Sequence, residues 1–93
     1  MTLPKALLID YYELLLERAN AIRDRIAARD ARALYTIVHQ VVGSGSAYGH
    51  AVLTERGGSL ESALAAGDVH AASLEAYAER CEEIARNGLR NLS

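Results

Sequence analysis

Apolar residues recur along this chain at spacings of three and four, the repeat that gathers them on one side of an α-helix. The first stripe is Leu8, Tyr12, Leu15, Ala19, Ile22 and Ile26, with Asp10, Glu13, Glu17, Arg18 and Arg25 on the opposite face. It predicts a helix from near Pro4 to about Ala28, roughly 35 Å long. Proline suits the first turn, where its missing N–H has no partner to lose. The stripe leaves room for a break near Asp10. Tyr11 and Tyr12 are neighbours and cannot both lie on one stripe, which leaves one of them for a partner contact.

A second stripe, Leu34, Ile37, Val38, Val41, Gly45 and Tyr48, predicts a helix that begins after Asp30 and ends at Gly49. The Asp30 carboxylate suits an N-cap. Gly43, Ser44 and Gly45 interrupt the interior of this helix, and each glycine there costs about 1 kcal/mol relative to alanine. A third helix, from near His50 to about Ala66, carries Leu53, Gly57, Leu60 and Leu64 inward, and Gly57 lets a neighbouring helix come close. A fourth, from about Val69 to Asn87, carries Leu74, Tyr77, Ala78, Cys81, Ile84 and Ala85 and stops at Gly88. The connectors Ala28-Arg29-Asp30 and Ala66-Gly67-Asp68 repeat one turn chemistry. In the second of them Gly67 suits the left-handed C′ position and Asp68 the next N-cap. Four stripes with short connectors predict an all-α fold, an up-and-down antiparallel four-helix bundle, as one domain over residues 1–93.

Composition agrees and narrows the function. Of the 93 residues, 51% are hydrophobic and 24% charged, which sets the chain apart from disordered tails. The formal net charge of −2 argues against nucleic acid, whose phosphates need a basic face. No segment reaches the apolar length that spans a bilayer, and the opening Met1-Thr2-Leu3-Pro4-Lys5 is not a secretory signal. One cysteine, Cys81, forms no internal disulfide and falls among core positions, which points to a cytoplasmic setting. Zinc sites built on several cysteines are excluded by count. The acidic set Glu75, Glu79, Glu82 and Glu83 reads as a solvated face partly paired with Arg80 and Arg86.

His39 is the one residue whose surroundings point to chemistry. The apolar stripe of its helix lies on roughly the opposite side, so the ring points to solvent. One turn later, on the same face, stands Gly43, with no side chain. An exposed imidazole beside cleared space suits close approach by something large. His50 and His70 lack such a context and read as surface residues. Arg32, Tyr35, Thr36, Val42, Gly43 and Ser46 share the side of His39 within a turn or two.

The run His39, Val41, Val42, Gly43, Ser44, Gly45, Tyr48, Gly49, followed by Leu60-Glu61, resembles the histidine-containing phosphotransfer (HPt) domains of two-component phosphorelays. The similarity extends from about Ala27 to Ile84; the first helix matches only in general character. The resemblance implies a phosphocarrier with no catalytic activity of its own. His39 would accept a phosphoryl group, by resemblance on Nε2, from the aspartyl phosphate of a receiver domain and pass it to another. The partners implied are the receiver domains of a response regulator or a hybrid histidine kinase. Mg²⁺ belongs to the receiver, so the chain needs no cofactor or metal, and it acts as a monomer. The physical reading agrees. Neutral imidazole, with a reference pKa of about 6.5, is a good nucleophile near neutrality, and phosphoryl transfer asks mainly for positioning and charge neutralisation. Gly43 admits the partner's loops, Thr36 and Ser46 offer hydrogen bonds, and Tyr35 and Val42 offer apolar area. One departure stands out: the lysine often found three residues after the histidine is Val42 here, and Arg32 lies too far along the helix to replace it well. That departure supports an alternative, a bundle that docks a receiver or kinase without carrying phosphate.

Overall fold

The first helix, α1 (Lys5–Ala27), begins directly after Pro4, as expected for proline at a helix start. The computed structural model describes residues 3–93, and Met1 and Thr2 of the opening segment lie outside them. α1 runs through Asp10 without a break. It ends in a Schellman turn. Arg29 takes the left-handed conformation at φ 52°, its N–H reaches the Ile26 carbonyl at 3.0 Å, and the Asp30 N–H reaches the Arg25 carbonyl at 3.1 Å. The end of α3 (Ala51–Ala65) repeats this: Gly67 has φ 84°, its N–H donates to Leu64 O at 2.9 Å, and the Asp68 N–H donates to Ala63 O at 2.9 Å. The two connectors do share one turn chemistry.

They differ in how the next helix starts. The Asp30 carboxylate accepts the Ala33 N–H at 3.1 Å and caps α2 (Ala31–Gly45). Asp68 caps nothing. α4 (Ala71–Leu92) starts behind His70, two residues later than the apolar pattern suggests, because Val69 is spent packing against the core before the helix begins. Nor does α4 stop at Gly88. That glycine lies within the helix, against the face of Tyr12, and a Cβ there would run into the ring. Its role is close packing, which overrides the helix cost of glycine.

α2 tightens into a single 3-10 turn (Ser46–Tyr48), Gly49 turns the chain at φ 85°, and α3 follows behind His50. The four helices form an all-α bundle in which α1 packs chiefly on α4 and α2 on α3. Among the described residues there is no strand, and no helix is long and apolar enough to cross a membrane. Leu15, Ile22, Leu34, Val38, Val41, Leu53, Leu74 and Cys81 fill the centre. Burial pushes the Cys81 thiol up to about 12, which keeps it protonated. Gly57 admits two side chains from its neighbours: Val42 and Tyr77 occupy the space where its Cβ would be. The Tyr77 hydroxyl donates to the Leu53 carbonyl at 2.6 Å and ties α4 to α3. On the acidic face of α4, Arg23 of α1 bridges to Glu82 at 3.3 Å and Glu75 at 3.9 Å, and Arg86 joins Glu82 at 3.5 Å.

Tyr11 and Tyr12 are both buried, contrary to the single-stripe expectation. α1 is covered along both flanks of its stripe. Tyr12 lies on α4 over Gly88, and Tyr11 stacks on Tyr48 of the 3-10 turn with ring centres 4.0 Å apart. The buried arc at this end of α1 is therefore wide enough for two consecutive residues. Neither tyrosine is left for a partner.

Candidate functional site

His39 stands on the flank of α2 that faces α3, with 64% of its side-chain surface exposed. Two neighbours hold the ring. Tyr35, one turn earlier on α2, stacks against it at 5.8 Å between centres and 7° between planes. Glu61, from α3, places Oε2 3.2 Å from Nδ1. A carboxylate only accepts, so Nδ1 carries the proton and donates. The remaining nitrogen, Nε2, then keeps its lone pair, and it is the atom free to attack an electrophile. Glu61 is only 18% exposed, so its carboxylate is held in place more firmly than a surface side chain.

The antiparallel pairing of α2 and α3 brings this arrangement about. Thr54 of α3 reaches across to α2, donating to the Val42 carbonyl at 2.9 Å and accepting from the Ser46 hydroxyl at 3.2 Å. That contact fixes the register, and two turns further along α3 Glu61 arrives opposite His39. Beside the ring on α2, Gly43 has nothing within 4 Å of where its Cβ would be. The cleared space inferred from the sequence is open space.

The other expected site residues divide. Thr36 is exposed but returns its hydroxyl to the Arg32 carbonyl at 3.2 Å. Ser46 lies at the start of the 3-10 turn, engaged with Thr54. Val42 is half-buried, its methyl seated over Gly57, and so offers little of the docking area expected of it. Arg32 lies two turns from His39, at the rim of a shallow groove of about 350 Å³ with Tyr35, Leu64 and Gly67. It does not sit over the ring. Glu61 was not among the expected site residues. Its only sequence signal is the pair Leu60-Glu61, in which the apolar partner faces the core and the acid falls on the adjoining face.

His50 departs from its expected surface position. It is half-buried behind α1, and its Nε2 lies 2.9 Å from the Tyr12 hydroxyl. Its ring lies parallel to Tyr11 at 6.1 Å. Burial, and secondly the charge of Arg80, lower its pKa below 6.5. The ring nitrogen and the Tyr12 hydroxyl share one hydrogen bond, so this nitrogen is taken. His70 is exposed, as expected. Among the described residues no three metal-ligating side chains come together. Compared with protein-family models, with characterised proteins and with solved structures, the chain has no match.

Proposed function

We propose that this chain is a phosphocarrier, taking a phosphoryl group from the aspartyl phosphate of a receiver domain onto His39 and delivering it to another. The observation that carries the reading is the exposed His39 ring, whose Nδ1–H is engaged by Glu61 and whose Nε2 is left free. In the transfer the Nε2 lone pair forms a bond to phosphorus. The bond from phosphorus to the aspartyl oxygen breaks, and the aspartate leaves as carboxylate with that electron pair. Nδ1 keeps its proton, so the ring becomes a cation, and the Glu61 carboxylate 3.2 Å away offsets that charge. The return transfer reverses these steps. Positioning and charge neutralisation dominate phosphoryl transfer, and Mg²⁺ on the receiver supplies the neutralisation that this chain does not. The partners in this reading are receiver domains of response regulators or hybrid kinases, and the chain catalyses nothing alone.

Val42 supports a second reading. With an apolar residue where the resembling family often has lysine, the bundle docks a receiver or kinase without being phosphorylated. One experiment separates the two. The chain is incubated with phosphorylated receiver domains and Mg²⁺, and acid-labile, alkali-stable label is measured. Label on the wild type that is lost in His39→Gln supports the carrier. Tight binding without label supports the docking module and sinks the carrier.

A further inference from the structure

Along α2, His39 has one neighbour a turn earlier and one a turn later, and the two are unlike. Gly43, the later one, leaves open space. Tyr35, the earlier one, stacks on the imidazole with planes 7° apart and ring centres 5.8 Å apart. Helical spacing alone brings side chains four residues apart near each other. It does not hold them there, and Tyr35 is held. Its ring is half-buried, packs against the core, and walls the shallow groove that Leu64 and Ala65 of α3 also line. The His39 ring therefore rests on a fixed aromatic surface, whereas a tyrosine on an open helix face is free to turn away.

Charge gives that surface a task. When Nε2 forms its bond to phosphorus, the aspartyl oxygen departs with the electron pair of the bond it loses, and Nδ1 keeps its proton. The ring thereby passes from neutral to cationic. Glu61 answers this charge at Nδ1, but the phosphoryl group is an anion too, so two negative groups then crowd one positive ring. Val42, three residues on, is apolar and seated over Gly57, and Arg32 lies two turns away at the groove rim. An aromatic face attracts a cation within about 6 Å of its centre. It does so without placing another negative charge beside the phosphoryl group, and it gains much less from a neutral ring.

We propose that Tyr35 is a positioning residue whose action depends on charge: its ring holds the cationic, phosphorylated imidazole of His39 more tightly than the neutral one, and so shifts the transfer equilibrium toward phosphohistidine. This role rests on the phosphocarrier reading and goes beyond it, because the transfer chemistry needs Nδ1 engaged and Nε2 free and asks nothing of Tyr35.

Orienting the ring and favouring its charged form leave different signatures. A residue that only orients the ring speeds transfer in both directions alike and leaves the equilibrium where it was. One that favours the cation moves the equilibrium. Wild type, Tyr35→Phe, Tyr35→Leu and Tyr35→Met are therefore brought to equilibrium with a phosphorylated receiver that labels the wild type, and forward and return rates are measured separately. The same chains are also loaded with phosphoramidate, and the loss of label in buffer is followed, with label on other histidines subtracted by means of His39→Gln. Tyr35→Phe keeps the aromatic face and is expected to match wild type. Tyr35→Leu and Tyr35→Met are expected to shift the equilibrium toward the receiver by about threefold, and to shorten the lifetime of the label by a similar factor. Thermal midpoints identify a variant that fails to fold, and the methionine variant then stands in for the leucine one. An unchanged equilibrium in folded Tyr35→Leu or Tyr35→Met, even with both rates reduced, overturns the charge-dependent role and leaves the carrier standing. A wild-type chain that no phosphorylated receiver labels overturns the carrier and this role with it.

Discussion

The α2–α3 hairpin holds two histidines and treats them in opposite ways. His39, midway along α2, has Nδ1 engaged by a carboxylate and Nε2 turned to solvent. His50, at the start of α3, lies against Tyr11 and has its Nε2 taken by the Tyr12 hydroxyl. The first leaves one ring nitrogen without a partner, and the second holds α1 against the hairpin. Exposure alone does not make the distinction; what matters is which nitrogen has a partner, and of what kind.

The sharpest way to break this contrast is to exchange the fates of the two rings. His39→Gln is expected to abolish receiver-dependent label while leaving the thermal midpoint within error of wild type. His50→Gln is expected to lower the midpoint and keep the label. Label surviving in the first variant would make the contrast meaningless. Glu61→Ala comes next in size. Loss of the charge-assisted bond to Nδ1 frees the ring to change tautomer and orientation, and transfer should slow by about tenfold, equivalent to about 1.4 kcal/mol. Rates of transfer from a fixed receiver concentration check this. Tyr12→Phe removes the bond to His50 Nε2 and is expected to cost about 1 kcal/mol in urea unfolding, with transfer unchanged.

The smallest effect is the pH dependence contributed by His50. Burial and Arg80 lower its folded pKa below the value of 6.5 that it has when unfolded. The unfolded chain therefore binds the proton more readily. The stabilisation from this group is complete above about pH 6.5 and is lost as pH falls through the folded value. Urea midpoints measured between pH 8 and pH 5 should fall less steeply for His50→Gln than for wild type.

Much of this could be read from the chain because helix periodicity reports directly on burial. The stripes of Leu15, Ile22, Leu34, Leu53 and Leu74 all face the core as the spacing requires. Asp30, Gly49 and Gly67 do what local turn chemistry asks of them. The departures are all places where a distant residue decides. Gly88 looks like a helix stop until Tyr12 of α1 is placed over it. His50 looks like a surface residue until α1 covers it. Tyr11 looks superfluous on its stripe until Tyr48 stacks on it. Glu61 is the same case within the candidate site, since its closeness to His39 depends on the register of two helices and no local pattern records that register. His39 and Gly43 were legible because they are neighbours on one helix.

Val42 shows what the close approach of α2 and α3 gives up. Its methyl group is the key that fits the Gly57 notch, so the side chain at this position is committed to joining helices. A lysine in its place would have to leave the notch to reach toward His39, trading cohesion of the hairpin for a positive charge near the ring. This chain keeps the cohesion. If the chain is the carrier proposed above, any cation that steadies a phosphoryl group on His39 would have to arrive with the visitor, and the lifetime of that state would be a property of the encounter rather than of this chain alone.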